Sequence, residues 1–312
     1  MINKILLVAP RSISKHNISD DPFRFDYSFW NFYLPLKELG YNVEFFDTST
    51  KGDKELRKKV SSFNPDLLFC IMTGDKNYCP LEPWETIKDL KSSLGIKTYN
   101  WFCDDTWRFD SFSSKVCQIF DICSTTQKDS LDKYKSMGYN NIFLTNWHAN
   151  DSLYGQVSGV KSADVTFVGG LHGQRKPYID FLVNKGISVN NPKNCSFEEM
   201  VWEYKRSKIC LNFSRCSVGS QNQMKARLFE VVASKSLLVS ERVPNLESYF
   251  LEDKEIVLFS SAEELHQKVK FLLDNETHLN KITEAGYNRY IDDHTSKVRL
   301  QKVIEKIEQV TV

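Results

Sequence analysis

The sequence predicts two consecutive α/β domains of Rossmann-like type, each a parallel sheet with helices on both faces. Three observations lead there. Short apolar runs alternate with longer segments of helical period almost to the C-terminus, the pattern of repeated βαβ units. The runs carry few polar interruptions, as strands covered on both faces require. A polar stretch bearing Gly and Ser, Asp151–Ala163, interrupts the alternation, and 312 residues suffice for two domains of about 150 each. The expected domains are residues 1–157 and 158–293, with a terminal helix, 294–312, packing back on the first domain.

In the first half the expected strands are Ile5–Ala9, Asn42–Phe46, Asp66–Ile71, Thr98–Phe102, Ile119–Ser124 and Asn141–Thr145. Helices Tyr27–Leu39, Asp53–Phe63, Trp84–Leu94 and Lys128–Met137 lie between them. Gly40, Gly95 and Gly138 follow three of these helices, where a left-handed residue closes a C-terminus. The second half restarts with strand Val165–Val168, helix Lys176–Asn184, strand Ile187–Asn190, helix Phe197–Arg206 and strand Ile209–Phe213. Helix Gln221–Ser234, strands Ser236–Ser240 and Glu255–Phe259, and helices Ala262–Leu273 and Glu276–Tyr290 follow, and Thr295–Val310 forms a charged amphipathic helix. In this reading the two lobes face each other, with a ligand cleft at the C-terminal ends of the strands.

Bulk chemistry narrows the function. Lys and Arg total 41 against 40 Asp and Glu, a formal charge of +1, which argues against a dedicated nucleic-acid binder. No segment approaches the ~20 apolar residues of a membrane span. The first apolar run meets Pro10 and Arg11 too soon for a signal-peptide core of about 7–15 residues. The eight cysteines show no CxxC pair and read as reduced, mostly buried thiols of a cytoplasmic protein.

Ser220–Glu230 (SQNQMKARLFE) is the most informative stretch. Ser220 and Gln223 make a capping-box pattern that starts a helix with Lys225 in its first turns. Arg227 and Glu230, three apart, share one side of it. Cations at a helix N-terminus suit a diphosphate, and a carboxylate one turn on suits the hydroxyls of a ribose. The competing reading is an Arg–Glu pair on a solvated face. In Val165–Arg175 (VTFVGGLHGQR) a strand ends in Gly169, Gly170 and Gly173, which let backbone amides approach a phosphate. Arg175 opens the next helix. The spacing is neither the dinucleotide fingerprint nor a P-loop. Asp104 and Asp105 end another strand, where they orient or deprotonate an acceptor hydroxyl, cap the next segment, or contribute to a metal site for which no third ligand is evident. His148, His172 and Ser214 are further cleft candidates. Without a G-x-S-x-G elbow around Ser214 or Ser220 a hydrolase triad has no support.

The run Lys225-Ala226-Arg227-Leu228-Phe229-Glu230-Val231-Val232-Ala233, followed by Leu237–Ser240, resembles the K-x-R-x-F-E-x-x-A core of the CgeB-like glycosyltransferases of the spore maturation protein type. Phe167-Val168-Gly169 with Arg175, Asn212, Pro244, Ser261–Leu265, His294-Thr295 and Arg299 continue the likeness, as do Asp66, the Asp104–Asp105 pair and Tyr134 before Gly138 in the first half. The resemblance implies a GT-B fold, two Rossmann-like domains facing across a cleft, with a nucleoside-diphosphate sugar donor held mainly by the second. Carried over, Lys225 and Arg227 meet the diphosphate, Glu230 the ribose, and Gly169, Gly170 and Arg175 the phosphate loop. Asp104, Asp105 and Arg227 are the expected catalytic residues. Related retaining enzymes often carry a second Glu eight positions before the ribose-binding one. That position is Asn222 here, which leaves retention or inversion open. The class implies no cofactor and no bound metal. Acceptors compatible with it are a glycan, a protein, a lipid-linked sugar or a modified nucleic acid. A same-fold epimerase or hydrolase and a non-catalytic nucleotide-sugar-binding subunit are the alternative readings.

Overall fold

The computed structural model describes residues 1–11, 27–76, 79–155, 161–215 and 221–310. In chain order come β1 (Lys4–Ala9), a π-helical turn Phe29–Tyr33 leading into α1 (Leu34–Glu38), β2 (Asn42–Asp47), α2 (Asp53–Phe63), β3 (Leu67–Cys70), α3 (Trp84–Leu94), β4 (Lys97–Phe102), α4 (Asp105–Arg108), α5 (Ser114–Val116), β5 (Ile122–Thr125), α6 (Ser130–Ser136) and β6 (Ile142–Leu144). Then follow α7 (Asp151–Tyr154), β7 (Ala163–Thr166), α8 (Arg175–Asn184), α9 (Phe197–Lys205), β8 (Ser207–Asn212), α10 (Arg227–Ala233), β9 (Leu237–Glu241), β10 (Val257–Phe259), α11 (Ala262–Asp274), α12 (Glu276–Asp293) and α13 (Ser296–Gln309).

The chain divides into two compact units, Met1–Asn146 with Ser296–Val312, and Trp147–Thr295. The divisions therefore lie at 146/147 and 295/296, not at 157/158 and 293/294. Contacts of the 147–154 segment account for the first shift. Trp147 Nε1 donates to Met224 O (3.1 Å), and Tyr154 Oη donates to Glu230 Oε1 (3.0 Å). Ala149 bridges Thr295 and its carbonyl accepts from Tyr290 Oη (2.9 Å). Residues 156–160 of the expected linker lie outside the described residues, as do Ser220, Cys216 and His16.

The first unit is a six-stranded parallel sheet in the order β2-β1-β3-β4-β5-β6. One face packs Leu6, Val8, Leu68 and Cys70 against Leu56 and Val60 of α2 and Ile87 and Leu90 of α3. The other face is aromatic: Phe32 lies 5.8 Å from Phe69 and 5.0 Å from Trp101, ring centre to ring centre. Strand β5 starts at Ile122, not Ile119, because Cys117–Ile119 turn as a 3-10 helix. Lys97 Nζ donates to the carbonyls of Ile307 (3.0 Å) and Val310 (2.7 Å), placing a cation where the dipole of α13 is negative.

The second unit is a four-stranded parallel sheet ordered β10-β9-β8-β7. Val165, Ile209, Leu237 and Val239 from the strands and Leu265, Val269, Leu279 and Ile282 from α11 and α12 fill its core. Helix α10 is buried from Leu228 to Ala233. Gly286, inside α12, leaves no room for a side chain, since a Cβ there would stand 2.3 Å from Glu255 O. Gly286→Ala is therefore expected to destabilise the protein by about 1–3 kcal/mol through backbone displacement. Equilibrium denaturation with an unchanged midpoint would contradict that expectation.

Two expected elements differ. The helix predicted from Gln221 starts at Arg227 and is seven residues long. Residues 221–226 instead run back along the exit of β8: Asn222 bridges Arg215, Gln223 N donates to Ser214 O (3.0 Å), and Asn222 Nδ2 donates to Arg242 O (2.8 Å). Ile187–Asn190 contributes one bridge, Thr166 to Asn190, and no strand. There Asn190 Nδ2 donates to Glu203 Oε2 (2.6 Å), and Pro192 offers no N–H with which to extend a ladder.

Candidate functional site

In the second unit the segments leaving β7 and β8 meet at the C-terminal edge of the sheet, where parallel folds gather their ligand-facing residues. The exit of β7 turns at Gly169, whose φ of +148° strains any other residue. A Cβ at Gly169 would lie 3.0 Å from Arg227 Nη2, and one at Gly170 2.8 Å from His172 Nδ1. Asn191 Nδ2 fixes this turn by donating to Phe167 O (2.6 Å) and Gly169 O (3.1 Å). Arg175 donates from Nη1 to Gly170 O (3.0 Å). The buried Phe167 ring lies beneath both guanidiniums, with Cζ of Arg227 and Arg175 at 5.0 and 5.8 Å from its centre, inside cation–π range.

Arg227 donates from Nε to Tyr204 Oη (3.2 Å) and from Nη1 to Asn212 Oδ1 (3.4 Å). Asn212 is buried, and its amide nitrogen donates to Ser214 Oγ (3.1 Å) and Ser240 Oγ (2.9 Å), so its oxygen is left to face the arginine. Among the described residues no carboxylate forms an ion pair with Arg227. The positive charge beside the glycine turn is held by neutral groups. His172 registers the field: its pKa is lowered, first by Arg175, then by burial and Lys225. Lys225 precedes the helix and donates from Nζ to Phe213 O (2.7 Å) and Arg215 O (2.8 Å), so it also pins the loop after β8.

Glu230 is 5% exposed and accepts from Tyr154 Oη at 3.0 Å. Burial pushes its carboxyl up to about 7, against the opposing influence of Tyr154 and Arg227. The reading of Arg227 and Glu230 as a pair on a solvated face is thereby excluded. Ser214 is buried and tied to Glu241, its N–H donating to Oε2 (2.8 Å) and its Oγ to the carbonyl (3.1 Å). His148 is buried in the same unit.

In the first unit Asp104 lies 3.5 Å from Arg108 Nε and keeps part of its side chain exposed. Asp105 does not: it is 1% exposed and accepts from Tyr134 Oη (2.8 Å), and burial raises its pKa against the hydroxyls of Ser113, Thr125 and Tyr134. Glu82, which no motif marks, accepts from the backbone N–H of Thr73 (2.6 Å) and Gly74 (2.9 Å), and burial raises it to about 7. Tyr204, Asn191 and Tyr154 likewise carry no local signal. Phe167, two residues before Gly169, and Asn212 lie among the residues the sequence singles out. Among the described residues no three His, Cys, Asp or Glu gather as a metal site, and no helix is long and apolar enough to cross a membrane.

Residues 158–305 match the family model described as glycosyl transferase-like. No curated protein matches the sequence significantly. Among solved structures the fold is shared with a glycosyltransferase from Rickettsia africae ESF-5 (TM-score 0.64, 10% identity, covering 99% of this chain and 98% of that one). It is shared with an alpha-glucosyltransferase in complex with UDP-glucose and DNA containing an abasic site (0.65, 12%, 98% and 99%). It is shared also with Anabaena Alr3699/HepE in complex with UDP-glucose (0.61, 11%, 98% and 99%). The chain is thus an α/β protein of GT-B type with two parallel-sheet units, and its residues 158–305 are similar to glycosyl transferases.

Proposed function

We propose that this glycosyltransferase moves a sugar from a nucleoside-diphosphate sugar, such as a UDP-sugar, to an acceptor hydroxyl without a metal ion, and that it is of the CgeB-like kind. The observation that carries the reading is the Arg227 guanidinium, beside the Gly169 turn and held, among the described residues, by the neutral Tyr204, Asn212 and Phe167. A guanidinium with no ion-paired carboxylate among the described residues, next to glycine amides, suits a diphosphate. Arg175 and the amides of Gly169 and Gly170 are the further diphosphate contacts, with Lys225 and His172 at the edge of the same field. Glu230 accepts hydrogens from the ribose hydroxyls. Two of the structural neighbours are complexes with UDP-glucose, which supports this donor class.

In the transfer, the bond from the anomeric carbon to the diphosphate oxygen breaks and a bond to the acceptor oxygen forms. The acceptor proton passes to a base, and the electron pair stays on the leaving diphosphate. Arg227 and Arg175 stabilise the charge that develops there, the role a metal serves in other phosphate chemistry. Of the Asp104–Asp105 pair, Asp104 is our candidate for the base, since Asp105 is buried beneath Tyr134. The core K-x-R-x-F-E-x-x-A supports the CgeB-like assignment.

A thermal-shift series with UDP-, GDP-, dTDP- and CMP-sugars tests the donor. A ligand at about 100 times its Kd adds about 2.7 kcal/mol of stability. One nucleotide series is expected to raise the unfolding temperature and to release its diphosphate only when an acceptor is present. A folded protein that no nucleotide sugar stabilises would argue against the proposal.

A further inference from the structure

We infer that Tyr204 and Asn212 are positioning residues that aim the Arg227 guanidinium at the donor without neutralising it. The inference rests on the donor reading above for what Arg227 meets, and on geometry for how it is held. Tyr204 comes from α9 and Asn212 from the end of β8, and both are buried. Each accepts one N–H of Arg227, from Nε at 3.2 Å and Nη1 at 3.4 Å. Phe167 supports the guanidinium from below at 5.0 Å. Nη2 remains as the edge beside Gly169, where the absence of a Cβ keeps the approach open.

The choice of neutral acceptors matters electrostatically. A carboxylate in either place would hold the guanidinium equally well and cancel much of its field at short range. A phenol and an amide oxygen fix direction and leave the charge intact. Burial raises the Tyr204 pKa and Arg227 opposes that rise, so the phenol is neutral at ordinary pH. The amide of Asn212 cannot rotate its oxygen away without losing its two serine partners, Ser214 and Ser240. The result is a preorganised cation, the arrangement that lowers the reorganisation needed when charge appears on a leaving group.

The test uses full-length protein with UDP and inorganic pyrophosphate as probes, and follows the Arg227 Nε–Hε signal by NMR in the free protein. Tyr204→Phe is expected to keep the wild-type circular dichroism spectrum, to lose the slow exchange of Arg227 Hε, and to bind both probes about tenfold more weakly. Asn212→Asp, nearly isosteric, is expected to weaken both further by adding an opposing charge. In an Arg227→Ala background Tyr204→Phe should change probe affinity little, because its effect runs through the arginine. Unaltered Hε exchange in Tyr204→Phe, or losses that add in full to that of Arg227→Ala, would overturn the inference. A wild type that binds neither probe, yet shows slow Hε exchange abolished in Tyr204→Phe, would support the aiming and refute the donor reading.

Discussion

Arg227→Ala is expected to lower sugar transfer by roughly 10²–10³-fold, the usual cost of removing one preorganised donor from a developing anion. The variant should remain folded, because Arg227 is a partly exposed first residue of α10 and its packing partners Phe167, Tyr204 and Asn212 belong to other elements. The loss should appear in kcat as well as in kcat/KM, since the leaving diphosphate carries more charge in the transition state than in the ground state. Arg227→Lys should recover only part of it. A single ammonium does not reproduce the fork that meets Tyr204, Asn212 and a phosphate oxygen together. Full turnover in a folded Arg227→Ala protein, measured as diphosphate released per enzyme, would remove Arg227 from the mechanism.

Glu230→Gln should separate binding from stability in opposite directions. The Glu230 carboxyl is raised from 4.5 to about 7 in the folded protein by burial. A raised carboxyl pKa means that the native state holds its proton more tightly than the unfolded chain. The stability this confers is present below about pH 4.5 and is lost as pH rises through about 7. At pH 8 the free enzyme carries a desolvated carboxylate whose cost is on the order of 3 kcal/mol. Gln keeps an oxygen for the Tyr154 hydroxyl and has no charge. Glu230→Gln should therefore be more stable than wild type at pH 8 and close to it at pH 4, by denaturant unfolding at both values.

Donor binding should move the other way. A carboxylate accepts two ribose hydrogens, while an amide offers one oxygen, so UDP affinity should fall about tenfold or more in the variant. Wild-type affinity should rise with pH through about 7 as the Glu230 carboxyl ionises, and the variant should show a flatter profile. Equal UDP affinity in both proteins at pH 8 would place the ribose elsewhere.

Local signals carried much of the architecture. Helices Asp53–Phe63 and Trp84–Leu94 coincide with their expected limits. The first begins with acidic residues after Gly52 and the second stops at Gly95, both short-range signals that a sequence displays directly. Parallel strands appear as apolar runs because both faces are buried, so their existence is plain and only their ends drift. Errors arise where distant contacts overrule the local pattern. Gln221–Lys225 has helical composition, but the bridge of Asn222 to the exit of β8 and the hold of Lys225 on two carbonyls keep it out of the helix. Residues 147–154 look like a linker approach, yet Tyr154 reaches Glu230 and so joins the second unit.

The site divides in the same way. A glycine turn after a strand, and the Lys-x-Arg-x-Phe-Glu run, are consecutive residues and therefore visible. The groups that hold them in place are not. Tyr204 reads as an ordinary buried helix position, Asn191 as a loop residue before proline, and Glu82 as one more surface acid. Their meaning comes from the turn, the guanidinium or the amides they meet after folding. Asp105 shows the converse, since adjacency to Asp104 suggested shared chemistry whereas the strand exit turns one outward and buries the other.

A crystal structure of the protein with UDP tests the central claim most directly. The account predicts the diphosphate within hydrogen-bond distance of Arg227 and of the Gly169–Gly170 backbone, with the ribose hydroxyls on Glu230. Diphosphate density remote from that turn, with Arg227 still engaged only by Tyr204 and Asn212, would contradict it.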